Sequence, residues 1–248
     1  MADGSAPRTD GLLRLSASTL GDVLLGAGVA IGFGVVAGLL SVGLMRAGVD
    51  LGAPIAGMGG LPALLIPISL IGTLLAGLLL WGLHRSRLPA SPRPWTPRMA
   101  VEVVAVALLL QAAAIAFTAL TEHFGTTTTG TNLAIIEAAF AAAPLFTVLM
   151  TVLIAPIGEE LVFRRVLLHR FAQARRPWLG LIVTSFGFAL IHEPLPGDRA
   201  LLAWALTLAT YASLGLGLGA LYLRSGRLDA VILAHVLINA VGVGLLLA

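Results

Sequence analysis

The sequence predicts an all-α protein, a polytopic bundle of about seven or eight transmembrane helices with a polar site inside the membrane. The first reason is composition, because the 248 residues are 58% hydrophobic and only 11% charged, with a mean hydropathy of +0.99. Ordinary soluble domains are about one quarter charged and under half apolar, so this chain has too few polar side chains to cover a water-exposed globule. The second reason is a series of apolar runs of about 20 residues, the length that crosses a hydrocarbon core.

The apolar runs give the predicted elements in chain order. Seven of them are expected to span the membrane, at about residues 20–45, 61–83, 100–120, 143–163, 178–193, 200–223 and 229–248. An eighth run, 133–142, carries Glu137 and is followed by Pro144, so we expect an interfacial or re-entrant helix that leads into the next span. The first run is too long for a cleaved signal peptide and is expected to remain as a span.

All 15 basic residues are arginine, and their distribution predicts the orientation of the bundle. They concentrate in the loops after the second and fourth spans and between the last two, whereas the alternate loops hold only Arg46 and Arg199. Because cytoplasmic loops carry the positive charge, we expect the N-terminus in the cytoplasm. The use of arginine alone, in a chain rich in alanine, glycine and leucine, suggests a high-GC bacterial genome. We therefore expect the protein in a bacterial cytoplasmic membrane. The expected surroundings are therefore a lipid bilayer, and no nucleic acid is expected as a partner.

Two pairs of glycines lie four residues apart within apolar runs, Gly28 with Gly32 and Gly215 with Gly219. Small residues at this spacing let helices approach closely in lipid, so both pairs are expected at helix–helix contacts. A nucleotide-binding loop is a poor alternative, because the glycines lie inside apolar spans with no preceding strand. The chain has no cysteine, which excludes disulfides and cysteine nucleophiles.

Ionisable side chains inside lipid cost roughly 2.5 kcal/mol or more and are therefore candidates for function. The first group is Glu159, Glu160 and Arg164, which follow an apolar run directly. Helical spacing places Arg164 on the same face as Glu160, where the two can pair. Glu159 is turned about 100° away and has no such partner in the motif, which suits a general base. The alternative is that both acids mark a helix end at the membrane interface.

Two further polar groups lie in later apolar runs. His192 follows an apolar turn that contains Phe188, and His235 lies four residues before Asn239, on one face of the last span. Both His235 and Asn239 can donate hydrogen bonds, so together they could hold a developing oxyanion. The alternatives are that His192 is a structural hydrogen-bonding residue and that His235 and Asn239 are polar contacts between helices.

Together these side chains supply the parts for hydrolysis of an amide. Glu159 would take a proton from water, and His192 would orient that water. His235 and Asn239 would stabilise the tetrahedral intermediate. No serine lies in a recognisable Ser–His or Ser–Lys arrangement that would compete for the role.

The sequence also predicts how the five histidines are placed relative to the membrane. His192 and His235 lie at different distances from the ends of their spans, so the spans must be tilted or offset for the side chains to meet. The remaining histidines, His84, His123 and His169, lie at span ends or in loops. We expect all three to be solvated.

The order of the three motifs resembles the CPBP family. That family comprises CAAX prenyl endopeptidases of the Rce1 type and bacteriocin-processing enzymes, and is also called the Abi family of intramembrane glutamate proteases. The motifs are EExxxR at Glu159, Glu160 and Arg164, FxxxH at Phe188 and His192, and HxxxN at His235 and Asn239. The run 211–222 also resembles the glycine-rich helix that precedes the family's last motif. The resemblance covers about residues 140–245.

The resemblance implies a membrane-embedded endopeptidase that acts without a metal or other cofactor on a membrane-associated peptide or protein. Its catalytic residues would be Glu159 as the base, His192 on the water, and His235 with Asn239 at the oxyanion. Its supporting residues would be Glu160, Arg164 and Phe188. The chain would then have three parts: a polar N-terminal segment at 1–19, N-terminal transmembrane helices at 20–132, and a CPBP-like catalytic core at 133–248.

Other functions are compatible with the same side chains. Glu159, His192 and His235 could ligate Zn²⁺, since carboxylate and imidazole ligands suit it, although the chain lacks an HExxH motif. A transporter could use the carboxylates as a proton relay, but the internal repeat typical of such folds is missing. A non-catalytic scaffold or immunity protein is a third alternative. The sequence leaves the oligomeric state open.

Overall fold

The computed structural model describes residues 8–49, 61–85, 92–124, 133–193, 195–196 and 200–246. These residues form eight helices and contain no strand. The predicted all-α fold class is therefore confirmed. In chain order the helices are α1 (Arg8–Arg46), α2 (Leu61–His84), α3 (Pro97–His123), α4 (Leu133–Ala142), α5 (Pro144–Gln173), α6 (Pro177–His192), α7 (Leu201–Ser225) and α8 (Leu228–Leu246).

Six helices of the described residues are long and apolar enough to cross a membrane, namely α1, α2, α3, α5, α7 and α8. Helix α6 is also apolar but has only 16 residues. These seven helices overlap the seven predicted spans, although α5 continues ten residues past the predicted end at 163, to Gln173. Helix α4 is the predicted short helix before Pro144. The chain is therefore a multi-pass membrane protein. In a bilayer only helices of this kind satisfy every backbone polar group within one segment.

Helix α1 begins earlier than the predicted first span. It starts at Arg8, so part of the polar segment expected at 1–19 is helical and continuous with the span. Twelve residues precede position 20 in this helix, which corresponds to about 18 Å of additional length. The remaining residues of that segment, 1–7, lie outside the described residues.

Helix α5 is irregular around the two glutamates. Residues Leu149–Ile154 and Leu161–Leu168 are wound as π-helix, in which each N–H bonds to the carbonyl five residues earlier. The α-helical turn Ala155–Glu160 lies between them and ends on Glu160. Turns of π-helix are rare and are frequently found at functional sites. The irregular winding therefore marks the same part of the chain as the first polar motif.

Two glycines fix the positions of α5 and α6 against their neighbours. A Cβ atom on Gly158 of α5 would lie 2.8 Å from the backbone nitrogen of Leu74 in α2. A Cβ on Gly215 of α7 would lie 2.8 Å from the Cα of Ser185 in α6. Backbone atoms cannot move aside cheaply, so these crossings require glycine.

The predicted glycine contacts are confirmed in α7 and wrong in α1. Gly215 lies at the α6–α7 crossing, whereas a Cβ on Gly28 or Gly32 would meet no atom within 4 Å among the described residues. Helix α1 instead faces α2 through Gly26 and Gly34, which contact Leu80 and Ile68. Residues two positions further along a helix are turned by about 200°, so Gly28 and Gly32 lie on the opposite face.

A buried ion-pair cluster joins α1, α2 and the end of α5. The Nε2 atom of His84 lies 2.9 Å from Oδ1 of Asp22, and Arg170 forms an ion pair with the other carboxylate oxygen. The expectation that His84 is solvated is therefore wrong. His169 is also partly buried, with its Nδ1 3.1 Å from the hydroxyl of Tyr222, whereas His123 is exposed as expected. Spacing along one chain could not reveal these partners, because they lie on other helices.

Candidate active site

Glu160 is completely buried and is held by Arg164 from the next turn of α5. The Nε atom of Arg164 lies 3.0 Å from one carboxylate oxygen of Glu160, and Nη1 donates to the other at 3.1 Å. The third nitrogen, Nη2, donates to the backbone carbonyl of Gly215 at 3.2 Å. The contact predicted from the i,i+4 spacing is therefore present. Because a buried charge without a partner is very costly, the guanidinium and carboxylate depend on each other.

His235 reaches the same carboxylate from α8. Its Nδ1 atom lies 2.7 Å from Oε1 of Glu160. A carboxylate oxygen that also accepts from Arg164 can only accept here, so Nδ1 of His235 carries the hydrogen. The other ring nitrogen, Nε2, lies 3.8 Å from Oε2 of Glu159. His235 therefore hydrogen-bonds to Glu160 through one ring nitrogen and turns the other toward Glu159.

His192 approaches Glu159 from the last residue of α6. Its Nδ1 atom lies 2.8 Å from the carbonyl oxygen of Phe188, which can only accept, so Nδ1 donates. This hydrogen bond fixes the tautomer of the neutral ring and leaves a lone pair on Nε2. Nε2 lies 3.9 Å from Oε1 of Glu159. The imidazole therefore presents an acceptor to the carboxylate side of the site.

Glu159 lies between the two histidines without a direct hydrogen bond to either. Its distances of 3.9 and 3.8 Å to the two Nε2 atoms exceed hydrogen-bonding range, and its buried Oε2 has no donor among the described residues. Two atoms 3.9 Å apart can both lie about 2.8 Å from one water oxygen. Each of these separations is therefore one that a single water molecule can bridge.

His192 and His235 meet at Glu159 although they lie at different distances from the starts of their helices. His192 is the sixteenth residue of α6, whereas His235 is the eighth residue of α8. The corresponding distances from the helix starts are about 22 and 10 Å. Because both side chains reach the carboxylate of Glu159, the two helices are offset or tilted relative to each other, as expected.

Aromatic rings enclose the imidazole of His192. The ring of Phe188 lies 4.5 Å from it, and Tyr211 of α7 stacks on it at 4.4 Å with the two planes 22° apart. Phe188 is almost fully buried, and the guanidinium carbon of Arg164 lies 4.9 Å from its ring centre. A cation over an aromatic face is attracted by the ring quadrupole. Phe188 therefore lies between the ion pair and the imidazole of His192.

Asn239 has a different partner from the other predicted catalytic residues. Its Nδ2 atom donates to the backbone carbonyl of Thr151 at 2.8 Å. Thr151 lies in the first π-helical stretch of α5. A carboxamide has two N–H groups, so this bond leaves a second donor on the same nitrogen. The structure thus brings Glu159, Glu160 and Arg164 together with both histidines, with a direct hydrogen bond from His235 to Glu160. Asn239 instead bonds to the α5 backbone eight residues before Glu159.

Sequence reasoning missed three contributors to the site. Tyr211 and Gly215 lie in the glycine-rich run of α7, and Pro156 lies in α5 one turn before the glutamates. The clustering of glycines was a signal for a close helix crossing, although it could not identify the carbonyl that accepts from Arg164. No sequence pattern marks Tyr211 as a site residue, because most aromatic residues in apolar helices only pack against neighbouring helices.

Glu159, His192 and His235 are of the chemical types that ligate Zn²⁺. Among the described residues, no group of three or more such side chains has the geometry of a metal site.

Comparison with known proteins agrees with the motif order. The model of the Rce1-like family, described as type II CAAX prenyl endopeptidase Rce1-like, matches residues 141–241. No curated protein matches the chain, and no solved structure matches it. The matched residues include every member of the three motifs, from Glu159 to Asn239. Over residues 141–241 the chain is therefore similar to the Rce1-like family of type II CAAX prenyl endopeptidases.

Proposed function

We propose that this chain hydrolyses a peptide bond of a membrane-associated protein or peptide, with Glu159 activating the attacking water and without a metal ion. Similarity to the Rce1-like family supports a membrane endopeptidase of the CAAX protease type. The observation that carries the finer proposal is the position of Glu159, buried and 3.9 and 3.8 Å from the Nε2 atoms of two histidines. A general base needs this kind of water-bridged reach to the proton that it takes.

In the proposed reaction, water donates one hydrogen to Glu159 and the other to the lone pair of His192. Its oxygen attacks the carbonyl carbon of the substrate while the first proton moves to Glu159, and the carbonyl oxygen becomes an oxyanion. The C–N bond then breaks, and Glu159 returns the proton to the leaving nitrogen. The products are a carboxylic acid and an amine, so the atoms and charges balance.

His235 would stabilise the oxyanion through Nε2, together with the second N–H of Asn239. Because Nδ1 of His235 already donates to Glu160, Nε2 can donate only when the ring is protonated. In this proposal the Glu160 carboxylate, 2.7 Å from Nδ1, is the counter-charge of that protonated ring. Arg164 holds that carboxylate on its other side. The supporting pair therefore has a chemical role in this proposal as well as a structural one.

The test is cleavage of a membrane peptide library by the purified protein in proteoliposomes, with peptides that carry a prenylated or an unmodified cysteine. We expect Glu159→Gln to lose activity by at least about 10³-fold while remaining folded, because glutamine cannot accept the proton. The matched control is Glu122→Gln, since Glu122 is an exposed carboxylate in α3, away from the motifs. Cleavage by Glu159→Gln at the wild-type rate would contradict the proposal. Peptides that co-purify with this variant would identify the substrate.

Metal independence has a separate test. Activity in excess EDTA should equal activity in untreated protein, and metal analysis of the purified protein should give less than one zinc per chain. Activity that EDTA removes and Zn²⁺ restores would overturn this part of the proposal, leaving the hydrolysis itself in place.

We also propose that the chain lies in a bacterial cytoplasmic membrane with its N-terminus in the cytoplasm, since arginine-rich and arginine-poor loops alternate. The absence of native cysteine makes the test direct. A single cysteine at His123 should react with a membrane-impermeant maleimide added to intact cells. A single cysteine at Arg175 should react only after the membrane is opened, and the reverse pattern would exclude this orientation.

A further inference from the structure

One backbone carbonyl beside the site has lost its helical partner because of a proline. Thr151 lies in a π-helical stretch, where a carbonyl ordinarily accepts from the N–H five residues later. For Thr151 that residue is Pro156, which has no N–H. The next candidate, the N–H of Ala155, donates to Met150 instead. The Thr151 carbonyl is therefore left without a backbone donor from the neighbouring turn.

The side chain of Asn239 supplies the hydrogen-bond donor that the Thr151 carbonyl lacks. Its Nδ2 atom donates to the Thr151 oxygen at 2.8 Å, across 88 residues of sequence, from a helix that also carries His235. A backbone carbonyl inside a membrane bundle is costly when unpaired. The bond therefore satisfies a requirement that Pro156 itself creates. It also ties α8 to the first π-helical stretch of α5, eight residues before Glu159.

We propose that Pro156 is a positioning residue for Asn239. By leaving the Thr151 carbonyl open, Pro156 gives one N–H of the Asn239 carboxamide a fixed acceptor. The amide is planar, so fixing one N–H fixes the direction of the second, which is the donor assigned to the oxyanion. This inference deepens the proposed function and rests on it for the kinetic consequence, whereas the link between Pro156 and Asn239 stands on the hydrogen bond alone.

The direct test of the link uses nuclear magnetic resonance and needs no substrate. The chain contains two asparagines, Asn132 and Asn239, so protein labelled with ¹⁵N-asparagine gives two side-chain NH₂ groups, and Asn239→Ala assigns them. Pro156→Ala restores an N–H that competes for the Thr151 carbonyl. We expect the Asn239 amide signals to move toward those of a free carboxamide, while those of Asn132 stay in place. Unchanged Asn239 signals in a folded Pro156→Ala protein would overturn the proposal.

The kinetic test is a double-mutant cycle on whichever library peptide the wild-type protein cleaves fastest. Loss of one oxyanion donor costs about 10²–10³ in kcat, so Asn239→Ala should fall in that range. Pro156→Ala should lower kcat about tenfold with KM within twofold, because misplaced groups lose rate before binding. The double variant should be no slower than Asn239→Ala. Multiplicative losses would show that Pro156 acts independently of Asn239.

A matched control separates this effect from the general loss of a proline. Pro144 begins the same helix and is not fully buried, so Pro144→Ala should leave both the Asn239 signals and kcat unchanged. If wild-type protein cleaves nothing, the proposed function fails, and the resonance test still decides the link. If Pro156→Ala does not fold, Pro156→Ser is used under the same criteria, and thermal midpoints show which variants are comparable.

Discussion

The Nδ1 atom of His235 lies 2.7 Å from Oε1 of Glu160, although the two residues are 75 positions apart. Both side chains are buried, and Glu160 also pairs with Arg164 of its own helix. The Glu160 carboxylate therefore accepts from the guanidinium of Arg164 on one side and from the imidazole of His235 on the other. The two helices α5 and α8 are therefore joined by a buried charged network.

Glu160→Gln should be strongly destabilising. Glutamine can still accept from His235, but it leaves the buried guanidinium of Arg164 without a counter-charge. Loss of one partner of a buried pair costs about 3–5 kcal/mol. We expect a clear fall in the thermal midpoint in detergent and a loss of cleavage activity. The control is Glu102→Gln, which removes the more exposed carboxylate paired with Arg224 and should change the midpoint little. Equal midpoints for the two variants would contradict the role of the buried network.

Gly215→Ala should disturb the ion pair through the helix crossing. The added Cβ would lie 2.8 Å from Cα of Ser185, and the carbonyl of residue 215 must stay within reach of Arg164. Overpacking of this kind costs about 1–3 kcal/mol. Gly187→Ala is the comparison, because the nearest atom to its Cβ, on the ring of Phe163, is 3.8 Å away. Thermal unfolding of both variants measures the difference, and a Gly215→Ala protein as stable as Gly187→Ala would disprove the close contact.

We expect the aromatic ring of Tyr211, and not its hydroxyl, to contribute to kcat. The ring stacks on His192, so we expect it to hold the imidazole with Nε2 toward Glu159. Tyr211→Phe keeps the ring and should retain kcat within about twofold, whereas Tyr211→Leu should lose about tenfold with KM nearly unchanged. Kinetics of the two variants on one peptide decide the point. A large loss in Tyr211→Phe would instead assign the effect to the hydroxyl.

Asp22→Asn should weaken the attachment of α1 without changing the chemistry. Asp22 is buried and holds both His84 and Arg170, so its neutralisation leaves a largely buried arginine without its carboxylate. We expect a loss of roughly 3 kcal/mol in the free energy of unfolding, with cleavage per folded molecule unchanged. The exposed Glu122→Gln is again the control. Limited proteolysis that cuts α1 equally in both variants would argue against a role in holding this helix.

The helices and the local charge pair could be predicted from the sequence for a clear physical reason. In lipid the backbone must bond within one segment, so long apolar runs can only be helices, and Leu201–Ser225 and Pro97–His123 follow directly. The pair of Glu160 and Arg164 depends on the geometry of a single helix. Where a prediction needed the face of a helix, as with Gly28 and Gly32, it failed, because both faces of α1 are apolar.

The contacts that give the site its chemistry depend on how the helices are offset along their axes. Periodicity within α6 and α8 could identify His192 and His235, but only packing brings both to the carboxylate of Glu159. The bond from Asn239 to Thr151 likewise needs a proline in one helix and an amide in another. The sequence alone determined that helices form, which residues within a helix share a face, and which residue types are available for chemistry. Only the tertiary structure decided which nitrogen faces which oxygen, because that is set by steric fit at glycine crossings such as Gly158 and Gly215.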